Sequence, residues 1–302
     1  MHLIKLLLLI SIIGLVNGCT TLKGLPQSQA EMYSGFTYIP IDPFRVNTIA
    51  NCKSYPVDKE IKSSSEMLDS FPDNSVRISI EQISGSGKAT YGTSYTSSKG
   101  DQYKVTVDHI ISDTTNITFY ISKLMQNNLT KEFEPVSLLE QNHNKYVTNS
   151  EIYEVIRERD EKPSLNDKKY EQFSLPIYIG VGLRITANVR NLTNNTNISG
   201  LGVIGAEAEA KKLQGTLVVQ TLGINGKAIA SALPIQSELN QTTVQNSIVA
   251  IGSIKALLYD NETVKSPRVV GLYLPFKGDT ALINAIISEL SRESIIWDKP
   301  CS

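Results

Sequence analysis

Residues 175–190 (LPIYIGVGLRITANVR) alternate between apolar residues and polar or small ones over almost their whole length. Apolar residues take every second position from Ile177 to Val189, and tyrosine, glycine, arginine, threonine and asparagine fill the positions between. Successive side chains of a β-strand point to opposite faces, so this period of two predicts a strand with one covered face. A strand over 177–189 would run roughly 43 Å, whereas the usual strand has only about 5–6 residues. The segment therefore predicts an unusually long strand.

Shorter runs with the same period surround this strand. Residues 75–125 contain three of them, at 76–80, 103–107 and 117–121, separated by clusters of Gly, Ser, Asn and Asp. They predict an antiparallel β region of separate strands.

Two further segments add to the predicted sheet. Residues 215–224 lead to Asn225-Gly226, a type I′ turn signal, and return as 227–233, which predicts a hairpin. The segment 36–46 (FTYIPIDPFRV) carries two prolines, which favour an extended edge segment.

The period changes to that of a helix near the end of the chain. Two apolar stripes predict amphipathic helices, with Asp279 placed to cap the second, and 267–275 between them predicts a strand. Residues 151–159 also place apolar side chains on one helical face and predict a short helix, followed by a charged loop over 160–169. The two stripes consist of Val244, Ile248, Ile251 and Leu258, and of Leu282, Ile283, Ile286, Ile287 and Leu290.

Together these patterns predict an α+β fold. A mostly antiparallel β-sheet region comes first, followed by a β-hairpin, two amphipathic helices and an intervening strand. The charged tract suggests a division into a β-rich region, 36–170, and an α+β region, 171–302; alternatively, the two form one continuous domain.

The N-terminal segment has a different character. Lys5 is followed by an apolar run from Leu6 to Val16. This is the pattern of an export signal, and the run is too short for a bilayer core, which takes roughly 20 apolar residues. We therefore expect residues 1–18 to be a signal peptide.

The residues that end this run resemble the lipobox of bacterial lipoproteins. Val16, Gly18 and Cys19 fit the lipobox pattern, whereas Asn17 departs from it because Ala or Ser is usual there. The resemblance implies a diacylglycerol thioether on Cys19, cleavage before it and a further acyl chain such as palmitate on the new N-terminus. Since each buried CH₂ contributes about 0.8 kcal/mol, several chains would hold the protein firmly on a membrane. Residues 19–35 would then be a lipidated tether.

The resemblance also carries an expectation about location. In enteric bacteria an Asp after the lipidated cysteine retains a lipoprotein in the inner membrane, and this chain has Thr20 there. The expected address is therefore the cell envelope, and within it the outer membrane, facing the periplasm or the surface. Two alternatives stay open: a secretory signal cut after Gly18, with Cys19 in a disulfide, and an uncleaved anchor.

Cysteine parity fits the lipidated form. With Cys19 modified, Cys52 and Cys301 remain as an even pair in an oxidising compartment, which predicts a disulfide. Such a bridge would close most of the chain and stabilise it by roughly 5 kcal/mol at most. The alternative is two unpaired structural thiols.

The rest of the sequence offers little catalytic chemistry. Lys plus Arg (29) and Asp plus Glu (30) nearly balance without a basic cluster, which gives no support to nucleic-acid binding. The stretch 83–91 (ISGSGKATY) lacks the first glycine and the Ser/Thr of a phosphate-binding loop. His109 and His143 have no partner at metal-ligand spacing, and neither Ser86 nor Ser94 lies in a G-x-S-x-G motif. We therefore assign no catalytic residue, cofactor or metal ligand and expect no enzyme.

The function expected from the sequence is that of a lipid-anchored envelope lipoprotein without catalytic activity. It would contact the membrane through the lipid on Cys19 and bind or scaffold an envelope protein or wall component, with the loops 84–102 and 191–202 as the surface to test.

Two alternatives stay open. The strand 177–189 and the glycine-rich 199–210 after it suggest an oligomeric outer-membrane pore or a secretion-assembly subunit. Paired acids, Glu207 with Glu209 or Glu158 with Asp160 and Glu161, suggest a cell-wall-modifying hydrolase.

Overall fold

The structure is a computed structural model, which describes residues 36–49, 71, 73–83, 89–92, 96–138, 145–158, 169–193, 196–197, 213–225, 236–260, 263–275 and 280–298. Most of these residues lie in strands, and the described part of the chain also holds two helices, α1 (Gln241–Tyr259) and α2 (Thr280–Ser291). In chain order the strands are β1 (Thr37–Ile49), β2 (Asp73–Ile83), β3 (Ala89–Gly92), β4 (Thr96–Ser97), β5 (Gln102–Asn127), β6 (Phe133–Val136), β7 (Tyr146–Arg157), β8 (Glu171–Asn191), β9 (Thr196–Asn197), β10 (Leu213–Leu222), β11 (Ile224–Asn225), β12 (Gln236–Glu238), β13 (Val264–Lys265), β14 (Arg268–Leu274) and β15 (Ile295–Asp298).

Eleven of these strands form one sheet, and its main path runs β15-β1-β14-β8-β5-β2-β3. Strands β10 and β12 extend from β8, while β6 and β7 pair with β5. The paired strands are antiparallel except β1 and β15, which pair in parallel over Val46–Ile49. The predicted α+β class, with a mostly antiparallel sheet, is therefore confirmed at this coarse level, and residues 35–302 form one compact unit.

Two long strands lie at the centre of the sheet. Strand β5 has 26 residues and β8 has 21, and they pair without interruption from Gln102 opposite Arg190 to Ile121 opposite Glu171. The other edge of β5 pairs first with β2 and then with β7. The other edge of β8 pairs first with β14 and then with β10. The predicted long strand at 175–190 is thus confirmed, and it connects shorter strands at both ends of the sheet.

One face of the sheet is apolar and is covered by the helices, and we call it the helix face. The odd-numbered residues Ile177 to Leu183 of β8 are fully buried in one cluster with Ile283, Ile286 and Leu290 of α2. Helix α1 lies against β8 and β10, and α2 lies against β7. Burial of each such side chain contributes about 1.5–3 kcal/mol relative to exposure. The two apolar stripes in the sequence therefore correspond to the helices that cover the sheet.

The opposite face, which we call the polar face, carries the even-numbered residues of β8. Its strands curl strongly. The evidence is a hydrogen bond of 2.6 Å that Tyr38 of β1 donates to Asp108 of β5. Strands β14 and β8 lie between them, so a flat sheet would separate the two backbones by about 14 Å. The polar face is therefore concave at this point, and β1 also approaches β2 and β3.

The predicted helix at 151–159 is wrong, because residues 151–157 belong to β7, which pairs with β5. Tyr153 and Val155 pack on the apolar core, whereas Ile152 is 43% exposed. The apolar residues on both faces of the strand produced the apparent helical spacing. Tertiary pairing of β-branched and aromatic residues decided the outcome.

Two further predictions about the strands are corrected. The polar residues 113–116 do not separate two strands, since β5 runs through them while pairing with β8. Strand β1 is extended as predicted, and among the described strands only β14 pairs with it up to Arg45. Strand β15 pairs with Val46–Ile49, so the predicted edge segment 36–46 is corrected only at Val46. The prolines of β1, Pro40 and Pro43, lie at and within the register shift between Pro40 and Phe44, where the missing N–H groups are tolerated.

Helices α1 and α2 and strand β14 form as expected. The strand predicted at 215–224 is corrected at its end, because β10 stops at Leu222 and Ile224–Asn225 form β11, which pairs with β13. Helix α1 begins after Asn240, whose side chain caps it by accepting from the Thr243 amide. The hairpin return 227–233 and the expected cap Asp279 lie outside the described residues.

Candidate functional site

The two surface loops singled out in the sequence meet at one end of the sheet. Strand β4, in the first loop, pairs antiparallel with β9, in the second. We call their described residues, 96–101, 191–193 and 196–197, the loop pair. Segments almost a hundred positions apart in the sequence thus form one surface, which the sequence could nominate only as two separate loops.

Asn191 fixes the base of the loop pair. It is 1% exposed; its amide donates to Asp101 O at 2.9 Å and its carbonyl accepts from Gly100 N at 2.8 Å. Its side-chain amide donates to Ser98 O at 3.2 Å. The Asp101 carboxylate accepts from the amide of Ser98 at 2.8 Å and from the hydroxyl of Tyr103 at 3.1 Å. The two loops are therefore held together by hydrogen bonds and not by packing alone.

The polar face is exposed beside the loop pair. There, one row of residues paired across six neighbouring strands includes acidic and basic side chains. Lys104, Asn188 and Glu238 of this row are exposed. The next row places Ile83, Gln102 and Arg190 side by side, and Ile83 is 40% exposed. The first row consists of Tyr91, Glu81, Lys104, Asn188, Thr216 and Glu238.

This surface combines polar groups with a few apolar ones. Leu192 of the loop pair is 43% exposed, close in register to Ile83. Burial raises the pKa of Tyr91 above its usual range, and the charge of Glu81 and its hydrogen bond with Tyr91 raise it further. Protein interfaces combine apolar anchors with a polar rim in this way. The arrangement suits recognition of a partner more than a chemical reaction.

Further along the polar face, a charged network is buried under β1. Arg184 makes two hydrogen bonds to Asp108, each of 2.7 Å, and also donates to the carbonyls of Ile41 (2.6 Å) and Val270 (2.7 Å). The hydroxyl of Tyr38 donates to the same carboxylate. Asp108 is 0% exposed and Arg184 is 5% exposed. The network therefore links β1, β14, β8 and β5.

A second arginine continues this row on the neighbouring strand. Arg77 of β2 lies opposite Asp108 in register and is 7% exposed. Its guanidinium donates to the hydroxyl of Tyr178 and lies over the rings of Tyr178, at 4.6 Å, and of Tyr273, at 5.4 Å. Such stacking on aromatic faces is a common arrangement for a desolvated guanidinium.

The electrostatics of the network indicate a structural role. Burial raises the pKa of Tyr38 well above its usual value, and the charge of Asp108 raises it further, so this hydroxyl remains protonated. Burial alone would lower the pKa of Arg184, but its hydrogen bonds and ion pair with Asp108 leave that pKa above the usual value. A permanently protonated phenol is a poor base, and the pair is shielded from solvent. The network thus stabilises the fold and is not positioned to act on a substrate.

Lys265 is another buried charged residue, with 0% exposure. Its ammonium donates to the carbonyl of Asp260, the C-cap residue of α1. Burial lowers its pKa, and the charge of Asp260 opposes this. A lysine with a lowered pKa is a candidate nucleophile in some enzymes. Here its contact with the carbonyl of the C-cap residue is the usual stabilising use of a cation at a helix C-terminus.

Most residues that the sequence singled out lie outside the part of the chain that the structure describes. Cys19, Cys52, Cys301 and His143 lie outside the described residues, as do Ser86, Ser94, Asp160, Glu161, Glu207 and Glu209. His109 lies in β5 opposite Leu183. Glu158 accepts a hydrogen bond of 3.2 Å from the hydroxyl of Tyr120. In the described part of the chain, no group of three or more His, Cys, Asp and Glu residues is arranged to hold a metal ion.

The buried network was the feature that sequence reasoning missed. Arg184 was recognised as a polar position of the long strand, but Asp108 lies 76 positions away in the sequence. A signal was present, because Arg77, Asp108 and Arg184 each place a charge at a polar position of an alternating strand. A charged residue in the middle of a long strand is a candidate for a paired, buried charge.

Comparisons of this chain with models of protein families, with curated proteins and with solved structures found no match. No helix among the described residues has the length and apolar character needed to cross a membrane.

Proposed function

We propose that this chain is a bacterial envelope lipoprotein, anchored through acyl chains on Cys19, that binds or scaffolds an envelope partner and is not a catalyst. The observation that carries the binding role is the loop pair, in which two distant loops share one hydrogen-bonded base. The observation that supports the anchor is the sequence Val16 to Cys19 after an apolar run. The outer membrane is the proposed address.

The buried charges favour binding over catalysis in this proposal. Asp108 and Arg184 use their hydrogen-bonding groups on each other and on the backbone, away from solvent. A hydrolase of wall glycans needs two carboxyl groups facing a cleft, about 5–9.5 Å apart. By contrast, the exposed rows beside the loop pair offer polar and apolar groups to a partner.

A pore was suggested by the alternation over 177–189, and the fold offers another explanation for that pattern. The odd-numbered side chains face the helices, and Tyr178 to Arg184 on the polar face are buried as well. Strand β8 also has partners on both edges. No observation on the described residues therefore favours the pore over the binding role.

The lipid anchor is tested by intact-mass measurement and by cell fractionation. We expect the wild-type protein to carry diacylglycerol on Cys19 and to fractionate with membranes, while Cys19→Ser loses the lipid mass. Cys52→Ser is the matched control and should keep it. A bare thiol on the processed wild-type protein would refute the anchor.

The binding surface is tested by photo-crosslinking in cells. A photoreactive amino acid at exposed Lys99 in the loop pair should capture a discrete partner, whereas the same group at exposed Val249 of α1 should not. Asn191→Ala, which breaks the base of the loops, should reduce capture at position 99. Equal capture from both positions would refute a role for the loop pair.

A further inference from the structure

The hairpin between β5 and β6 presents an apolar side chain at the end of the sheet remote from the loop pair. Leu129 at its turn is 88% exposed, more than any other large apolar residue in the described part of the chain. The turn is well ordered by hydrogen bonds: the Asn127 carboxamide accepts from the amide of Leu129 at 2.9 Å, and the carbonyl of Asn127 accepts from the amide of Lys131 at 2.9 Å. Lys131 has a φ of 63°, which closes the turn. The turn therefore holds Leu129 outward.

Leu129 belongs to a larger apolar patch. Phe133 is 51% exposed and lies opposite Gln126, while Ile152 is 43% exposed and lies opposite Leu124. Since Leu124 and Gln126 are two positions apart on β5, these side chains share one face. We call Leu124, Leu129, Phe133, Pro135 and Ile152 the tip patch. Exposed apolar side chains gathered at one end of a sheet in this way indicate a contact surface.

Lysine side chains lie at the same end of the sheet as the tip patch. Lys131 is exposed beside Leu129. The side chain of Lys145 is 54% exposed and its ammonium lies 3.0 Å from Glu134, which is on the opposite face from Phe133 because it pairs with Met125. Lysines at the margin of an apolar surface are typical of segments that lie at a membrane interface, since their long side chains reach the polar layer.

The register places the start of β1 near the middle of β5. Thr37 lies opposite Leu274, two residues beyond the pair of Leu272 with Ile177, which puts it level with Ile117 of β5. Leu129 lies about 40 Å along β5 from Ile117. The chain between Cys19 and Phe36 can span about 60 Å, so it is long enough for Cys19 and the tip patch to reach one bilayer.

From these observations we infer that the tip patch is a second membrane contact, which inserts Leu129 and Phe133 into the interface of the bilayer that holds Cys19. The occupant of the patch is a lipid surface, and the loop pair is directed away from it toward a partner. This inference rests on the proposed lipid anchor. A few apolar side chains bind a membrane only weakly alone, and the anchor keeps them beside it.

The test uses the lipidated full-length protein in vesicles of phosphatidylethanolamine and phosphatidylglycerol, with and without brominated phosphatidylcholine as a quencher of tryptophan. Trp297 is the single tryptophan of the chain and is 3% exposed, so the wild type gives a constant background. Brominated lipid should quench the added fluorescence of Leu129→Trp and Phe133→Trp. It should leave that of Lys99→Trp, in the loop pair, unchanged.

A charge at the turn gives a second readout. Adding Leu129→Asp to Phe133→Trp should lower the ratio of molecules with an inserted tip patch to molecules with a free one by about tenfold or more. The quenching of the tryptophan at position 133 should then be lost. Adding Val249→Asp instead is the matched control and should leave it. Both sites are exposed, 88% and 69%, so neither variant disturbs the core.

The outcomes separate this inference from the anchor. A bare Cys19 in the same preparation, seen by intact mass, would overturn both. A lipidated protein on vesicles with no quenching at position 129, or with equal quenching at 99, would overturn the membrane contact alone. The fluorescence of Leu129→Trp could instead shift to the blue with rising protein density on the vesicles, without quenching by brominated lipid. That result would assign the tip patch to contact with a second copy of the chain and would also refute the membrane contact.

Discussion

The buried carboxylate of Asp108 is the group whose neutralisation should cost this fold most. It accepts two hydrogen bonds of 2.7 Å from Arg184 and one of 2.6 Å from Tyr38, and it is completely buried. Asp108→Asn keeps the size of the side chain but removes its charge. The new amide group would also direct a donor at one of the donors that now surround the carboxylate.

The magnitude follows from the charge left behind. Arg184 is 5% exposed and would keep its two backbone acceptors, Ile41 and Val270, but lose its counter-charge. Removing one partner of a buried ion pair costs about 3–5 kcal/mol. For a domain of this size, such a loss lowers the midpoint of thermal unfolding by about 10 °C.

Trp297 provides the assay. It stacks on Phe71 with ring centres 5.0 Å apart, and its indole donates to Asp113 at 3.0 Å, so its fluorescence should change on unfolding. Urea titrations of wild type and Asp108→Asn, fitted with a common slope, give the difference in the free energy of unfolding. Asp42→Asn, at an exposed position of β1, is the matched control and should stay within about 0.5 kcal/mol.

A loss below about 1 kcal/mol for Asp108→Asn would refute the reasoning, because it would mean that the pair is not desolvated. Tyr38→Phe extends the test, and we expect it alone to cost about 1.5 kcal/mol through the lost hydrogen bond to a charged group. The two substitutions act on one network. In the double variant the costs should therefore fall short of additivity by about 1 kcal/mol.

Three further predictions concern stability. Gly271→Ala should lower the free energy of unfolding by about 1–3 kcal/mol in urea titration, because a Cβ there would meet the ring of Tyr38. Its control is Gly252→Ala in α1, where a Cβ meets nothing, and this change should raise the free energy of unfolding by up to about 1 kcal/mol. Since the pKa of Tyr38 is raised by folding, the unfolded chain loses this proton first, and stability should fall as the pH rises above about 10. The slope of stability against pH in this range should be smaller for Tyr38→Phe, and an identical slope would show that Tyr38 does not contribute. Asn240→Ala, which removes the N-cap of α1, should lower stability by about 1 kcal/mol in thermal melts followed by circular dichroism, and no change would mean that the cap is replaced by solvent.

Several regular elements were predictable because each carries its own apolar pattern. The strand at 175–190 has an apolar residue at every second position, and helix α2 has an apolar stripe, so spacing alone identifies them. The strand at 268–274 is a short, mostly apolar run between two prolines. Strand β7 was not predictable in this way. Its apolar residues occupy both faces, and only pairing with β5 distinguishes a strand from a helix there.

The candidate site was only partly predictable. The sequence marks 84–102 and 191–202 as polar, glycine-containing loops, but their contact through β4 and β9 depends on the pairing of β5 with β8, which brings both loops to one end. The tip patch was not anticipated. Leu129 and Phe133 are ordinary apolar residues in the sequence, and their exposure follows from the turn that closes the hairpin.

The sequence by itself determined the local properties of this protein, namely the long alternating strand, the two helical stripes and the lipobox-like residues around Cys19, because each depends on neighbours within a few positions. Only the tertiary structure decided that both faces of β8 are buried over residues 175–184 and that Arg184 meets Asp108 beside Tyr38. The physical reason is that burial and charge pairing depend on which strands become neighbours. Which strands become neighbours depends on all the pairings in the sheet. The cost of burying a charge is offset only where the curled strands bring its partners together.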